Sequence, residues 1–156
     1  MPSCRKEQRS NHVAGPDAAR SARASVGGGL VGLPPAVVAD AQLVVSELVT
    51  NAVLHSGLRS GQPIGLALGC EGQHLRIEVD DRCGFHARGD PSAGSPRGGR
   101  GLRIVAALAE RWEAEGGRVT AWIRCPRPAG AAHARTHQQP RRATVSPRRG
   151  GDPAAT

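Results

Sequence analysis

Three groups of residues in this chain have the types and spacing to bind phosphate, hold a metal ion and move a proton. Glu47 and Asn51 form the first group, and their spacing of four places both on one face of a helix. An asparagine oxygen suits Mg²⁺, and a glutamate can take a proton from a hydroxyl group or water. Taken alone, the pair fits an ordinary solvated helix face better than a site.

The other two groups are an aspartate after a strand-like run and a short glycine-rich segment. The Asp81 carboxylate can accept a hydrogen bond from an exocyclic amine such as that of adenine. Taken alone, however, this aspartate fits a plain turn better. Gly98-Gly99-Arg100-Gly101 leads directly into a predicted helix. Its backbone N–H groups, the helix N-terminus and Arg100 would together attract an anion. The segment matches neither a Walker A loop nor a dinucleotide-binding glycine fingerprint.

The first group needs a long helix, and the sequence predicts one over residues 35–54. A proline pair precedes the segment, as is typical of a first helical turn, and Gly57 follows it. Glu47 and Asn51 lie along the border of its apolar stripe, where polar side chains can face a cleft. The stripe has helical spacing and consists of Val37, Ala41, Val44, Val45, Leu48 and Ala52.

The remaining pattern predicts strands and a second helix. Residues 64–70 and 75–80 read as two strands of a hairpin. Residues 82–100 form a connection of the length typical of lids and binding loops. A helix over residues 101–112 and a last strand over residues 118–125 complete the pattern.

Composition indicates one domain with basic ends. The chain has 156 residues and a net charge of +8, but the excess lies near its two ends. We therefore expect a disordered arm at residues 1–15, a domain at residues 16–125 and a basic disordered tail at residues 126–156. Aromatic residues make up 2% of the chain, which disfavours a nucleic-acid surface built on base stacking.

Cysteine usage and hydropathy favour the cytoplasm. The four cysteines form no dense disulfide framework, and we expect Cys70 and Cys125 to pack as small apolar thiols. The most apolar stretch contains Asp40, Glu47 and Asn51, so we expect no membrane span.

A zinc site is a weaker alternative for some of these residues. Cys70 with His74, and Cys83 with His86, form Cys-His pairs of short spacing. Their order matches no familiar zinc motif.

The order of the three groups resembles the N, G1 and G2 boxes of GHKL ATPases, whose fold is the Bergerat fold. Residues 44–56 are similar to the N box of the branch containing anti-sigma-factor serine/threonine kinases, and residues 99–105 are similar to its G2 box. The resemblance implies an α+β, two-layer fold, in which helices cover one face of a mixed, mostly antiparallel sheet. ATP would bind between the long helix and the glycine loop.

The resemblance also implies roles for individual residues. Glu47 matches the catalytic base, Asn51 the Mg²⁺ ligand and Asp81 the adenine-binding aspartate. The ATP-binding set is completed by residues of the G1 and G2 boxes, namely Gly84, Gly99, Arg100, Gly101 and Leu102. The family's G1 box reads Asp-x-Gly-x-Gly, whereas this chain has Cys83 and Phe85 at the two glycine positions and Gly84 between them.

By the same resemblance, the expected function is that of an anti-sigma factor with kinase activity. The protein would bind a sigma factor and use Mg-ATP to phosphorylate a serine or threonine of an anti-anti-sigma antagonist, without direct contact to nucleic acid. Family members of this type often pair as homodimers. Two alternatives stay open: an ATP-binding interaction module without transfer, consistent with Cys83 and Phe85, and nucleic-acid binding by the basic tail.

Overall fold

The structure is a computed structural model and describes residues 7–82 and 100–125. Eight elements follow one another along the described chain: β1 (Gln8–Val13), α1 (Ala18–Gly29), α2 (Pro35–His55), β2 (Pro63–Glu71), β3 (His74–Asp80), α3 (Arg100–Leu108), β4 (Arg111–Glu115) and β5 (Arg118–Arg124).

The five strands form one sheet in the order β1-β2-β3-β5-β4, and every pairing among the described residues is antiparallel. A tight hairpin joins β4 to β5, and its residues Gly116 and Gly117 have φ values of 56° and 87°. Positive φ at both central residues is typical of hairpin turns whose backbone twist matches the twist of the two strands. The predicted two-layer α+β fold is confirmed.

The core lies between the sheet and the helices. Strand residues that alternate toward the helices are buried, for example Ile64, Ile77 and Ala121. The matching helical side chains come from all three helices, with α2 contributing most: Ala22, Val26, Val37, Ala41, Val44, Val45, Leu48, Val49, Ala52 and Val105. Each fully buried valine or leucine stabilises the fold by about 1.5–3 kcal/mol relative to an exposed one.

Helix α2 is the central element of this core. It begins after Pro34 and is followed by Gly57, whose φ of 74° takes the chain out of the helical conformation. Its length and mean hydropathy of 1.5 would suffice to cross a membrane, but seven of its side chains are buried against the sheet and the other helices. Packing in the core is therefore enough to explain why α2 is so apolar.

The structure differs from the sequence-based expectation at β1. Residues 8–13, assigned above to a disordered arm, pair with β2 so that Asn11 faces Gly65. β1 is an edge strand held by its antiparallel pairing with β2, and His12 is its only buried residue. The strand therefore has no apolar alternation that a sequence pattern could reveal.

A second difference concerns the helix expected over residues 101–112. α3 ends at Leu108, and the Glu110 N–H donates to the Trp122 carbonyl oxygen at 2.8 Å as the chain enters β4. Trp112 lies four residues after Leu108 and so fits a helical register. In the strand, however, half-buried Trp112 and Ala114 alternate with exposed neighbours.

One cysteine also departs from expectation. Cys70 is disulfide-bonded instead of packing as a free thiol. Cys125 is a free thiol, and burial raises its pKa.

Candidate active site

Helix α2 presents Glu47 and Asn51 beside its buried stripe. Val44 and Leu48 are buried in the core, whereas Glu47 and Asn51 are half-buried at its border. Within the described residues Glu47 makes no hydrogen bond or ion pair. The carboxylate thus remains available to accept a proton or a hydrogen bond from a ligand.

Helix α3 brings Gly101 directly against this pair. A Cβ atom at Gly101 would lie 2.7 Å from Oε2 of Glu47 and 3.2 Å from Nδ2 of Asn51. Such distances are shorter than ordinary carbon contacts. Only glycine allows the start of α3 to approach the two α2 side chains this closely, so the predicted N box and G2 box meet in space.

Asn51 carries an unpaired buried polar atom at this point. Its Nδ2 is buried and has no hydrogen-bond partner among the described residues. A buried unsatisfied donor costs about 1–3 kcal/mol. Rotation of the amide about χ2 would place the oxygen there instead, as a ligand for Mg²⁺. This buried amide without a described partner, beside a carboxylate and the glycine at the start of α3, fits a Mg²⁺–phosphate group.

Asp81 lies at the end of β3, on the helical side of the sheet. Its side chain is 2% exposed and continues the inward alternation of Ile77 and Val79. The Asp81 N–H donates to the carbonyl oxygen of Gly117 at 2.9 Å. The neighbouring Asp80 instead points to the open face of the sheet, where Arg118 pairs with it. The geometry therefore favours Asp81 over Asp80 as the residue facing the helices.

The remaining predicted site residues divide into three groups. Arg100 is the first residue of α3 and is exposed, so its side chain is free to reach an anion at the helix N-terminus. Leu102 is half-buried against the core, which gives its side chain a packing role. Gly84 and Gly99 lie outside the described residues.

The alternative zinc site finds no support in the described chain. His74 Nε2 lies 2.8 Å from Oε2 of Glu110, and Cys70 is disulfide-bonded. No group of three or more potential metal ligands occurs within residues 7–82 and 100–125. The other two members, Cys83 and His86, lie outside the described residues.

Two depressions of about 390 and 190 Å³ lie on the open face of the sheet, away from Glu47 and Asn51. Several of their charged side chains pair with one another. Glu78, for example, lies 2.7 Å from Arg76 and 3.3 Å from Arg118. Charges already paired in this way offer little to a ligand, so we place the candidate site between α2 and α3.

Sequence reasoning missed the contribution of the β4–β5 hairpin to the site. The carbonyl group of Gly117 anchors the backbone of Asp81 across more than thirty positions of sequence. A backbone contact at this separation leaves no mark in the local pattern, although a glycine pair such as Gly116-Gly117 is typical of a turn.

Comparison with known proteins agrees with this geometry. Residues 12–125 match a family model described as histidine kinase-like ATPase domain. Among solved structures, the chain is similar to the RsbU and RsbW domains of Rv1364c from Mycobacterium tuberculosis, with 28% sequence identity and a TM-score of 0.58. The similarity covers 80% of this chain and 34% of that one, so this chain spans about a third of its length. No curated protein matches the sequence significantly.

Proposed function

Because this chain belongs to the histidine kinase-like ATPase family, we propose that it is an ATP-dependent serine/threonine kinase of the anti-sigma-factor type. The observation that carries the proposal is the meeting of Glu47, Asn51 and Gly101. It supports the proposal because a carboxylate that can accept a proton, an amide that can bind a metal ion and the first turn of α3 lie at one point. These are the groups that phosphoryl transfer requires, since its catalysis consists mainly of positioning and charge stabilisation.

Glu47 acts as the base in this proposal. The hydroxyl oxygen of a serine or threonine attacks the γ-phosphorus of ATP, and the bond between that phosphorus and the ADP oxygen breaks. The hydroxyl proton passes to the Glu47 carboxylate, which has no competing partner among the described residues. Removal of such a base slows transfer by about 10²- to 10⁴-fold.

Asn51, Arg100 and Asp81 hold the nucleotide. Asn51 offers its amide oxygen to Mg²⁺, which would neutralise charge on the phosphate oxygens. Arg100 and the first N–H groups of α3 would attract the phosphates. Asp81 accepts a hydrogen bond from the exocyclic amine of adenine, and this distinguishes adenine from guanine, which has a carbonyl oxygen at the corresponding position.

The partners follow from the branch that the chain resembles. The solved match contains an RsbW domain, and with residues 44–56 it supports a sigma factor and an anti-anti-sigma protein as partners. Contact with nucleic acid is not part of the proposal. We place the reaction in the cytoplasm, where ATP is available, and a homodimer remains an expectation from the resemblance.

A second function is favoured by one sequence feature. Cys83 and Phe85 replace the two glycines of the Asp-x-Gly-x-Gly box. Side chains at these positions reduce the backbone freedom that a close approach to a nucleotide needs. The alternative is therefore an interaction module that binds ATP and does not transfer its phosphate.

The test is transfer of radiolabelled γ-phosphate from ATP to purified anti-anti-sigma proteins of the source organism, each supplied separately. We expect Glu47→Gln to lose transfer by about 10²-fold or more while its affinity for ATP stays within about threefold. Glu113→Gln, an exposed carboxylate on β4, is the matched control and should transfer normally. Undiminished transfer by Glu47→Gln would refute the mechanism. ATP binding without transfer by the wild type would establish the interaction module instead.

A further inference from the structure

The turn that follows β3 holds its backbone in an unusual conformation. Arg82 has a φ of 55°, and no other non-glycine residue of the described chain has a positive φ. This region costs a non-glycine residue about 1 kcal/mol or more, so it persists only where the surroundings hold it. Arg82 directly follows Asp81, so its backbone conformation affects the direction in which the Asp81 side chain points.

Asp80 supplies the contact that holds this turn. Its Oδ1 accepts a hydrogen bond from the backbone N–H of Arg82 at 2.8 Å. Its Oδ2 accepts one from Nη2 of Arg118 at 3.2 Å. An aspartate that bonds the backbone two residues ahead stabilises a turn by itself. Arg118, fixed on β5, ties that carboxylate to the sheet.

The start of β5 also contacts Asp81, the residue between Asp80 and Arg82. The Asp81 N–H donates to Gly117, the residue before Arg118, at 2.9 Å. The main chain of Asp81 is thus fixed by its own N–H and by the Asp80–Arg82 bond on either side. A side chain that is 2% exposed has few rotamers available, so its direction follows from its backbone.

We propose that Asp80 and Arg118 are positioning residues that aim the Asp81 carboxylate at the base of the nucleotide. The inference rests on the proposed function of Asp81. It adds two residues on the opposite face of the sheet to those that determine adenine recognition. Asp80 and Arg118 do not touch the nucleotide and act only through Asp81. They set the preference for ATP over GTP, because a misdirected carboxylate loses its bond to the adenine amine.

The two contacts of Asp80 differ in strength. The Asp80–Arg118 pair is partly exposed, with 26% and 53% of the side chains accessible, and such pairs contribute little. The bond to the Arg82 N–H holds a strained backbone and has the larger effect. Asp80→Asn keeps an oxygen that can accept this bond, whereas Asp80→Ala removes it.

The experiment measures dissociation constants of the full chain for ATP and for GTP. We expect Asp80→Ala to weaken the binding of ATP about fivefold, which is the effect of one hydrogen bond. The affinity for GTP should stay nearly unchanged. The preference for ATP then falls by the same factor. Asp80→Asn should restore it to within about twofold of the wild type. Arg118→Gln removes the contact of Arg118 with Asp80 without changing the turn itself. It should lower the preference for ATP over GTP by about twofold.

Arg124→Gln is the matched control, because this arginine lies at the exposed end of β5 and should leave both constants unchanged. An Asp80→Ala protein that melts earlier but keeps the wild-type ratio of the two constants would overturn the inference, since Asp80 would then be structural only. Should Asp80→Ala fail to fold, an unchanged ratio in Arg118→Gln overturns it instead. A wild type that binds no ATP, or an Asp81→Asn variant with an unchanged ratio, would overturn the proposed function as well.

Discussion

Substitution of Gly101 by alanine separates nucleotide binding from folding. The added methyl group would lie 2.7 Å from Oε2 of Glu47 and 3.2 Å from Nδ2 of Asn51. Ordinary contact with a carbon atom is about 3.5 Å, so the Glu47 carboxylate must retreat by roughly 0.8 Å. Glu47 is half-buried at the border of α2, and its side chain can make this shift by rotation about its own bonds.

The expected magnitudes differ for stability and for binding. Alanine is favoured over glycine in a helix by up to about 1 kcal/mol, which offsets the local crowding in the free protein. The ATP-bound protein cannot relieve the crowding in this way, because the methyl group would lie beside the groups that we propose bind phosphate and Mg²⁺. Crowding of a packed site costs about 1–3 kcal/mol, which corresponds to roughly 5- to 150-fold weaker binding of ATP.

Calorimetric titration with Mg-ATP and thermal unfolding of the same samples would measure both quantities. Gly28→Ala is the matched control, because it also lies in a helix and a Cβ there has no atom within 4 Å. We expect this control to bind ATP like the wild type. A folded Gly101→Ala protein with wild-type affinity for ATP would refute the placement of the nucleotide between α2 and α3.

Two further predictions concern pH and the basic tail. Burial lowers the pKa of His12 from 6.5, so the unfolded chain binds a proton more readily than the folded one. This component of stability is complete above pH 6.5 and is lost as the pH falls toward the depressed pKa of the folded state. Unfolding free energies of His12→Gln measured from about pH 8 to 5 should fall less steeply than those of the wild type, and equal slopes would contradict the prediction. A chain that ends at Cys125 keeps every described element and should bind ATP within about twofold of the full chain while losing any weak, salt-dependent binding to DNA. Tight, sequence-dependent binding of DNA by this shortened chain would instead favour a nucleic-acid function.

The sequence indicated the central helix and its site residues because their signals are local. The apolar stripe of α2 is nearly continuous, and Glu47 and Asn51 keep their helical spacing beside it. Gly101 is indicated by the glycine-rich segment that leads into a helix and by the resemblance to the G2 box. The close contact between Gly101 and the α2 pair gives a physical reason for glycine at that position.

Other features left too weak a local signal. β1 is a polar edge strand, and β4 has only five residues, among them Trp112, whose position also suits a helix. The fixing of Asp81 by Gly117 depends on the pairing of β3 with β5, which brings distant segments together. A pattern confined to a few neighbouring residues cannot express such contacts.

The most direct test of Mg-ATP binding between α2 and α3 is calorimetric titration of the full chain with ATP, with and without Mg²⁺. The wild type should bind in the micromolar range and more tightly with Mg²⁺. Asn51→Ala should lose this difference, because the Asn51 amide is buried without a described hydrogen-bond partner and is the proposed Mg²⁺ ligand. Absence of binding by the wild type at millimolar ATP, or equal affinities with and without Mg²⁺, would contradict the proposed site.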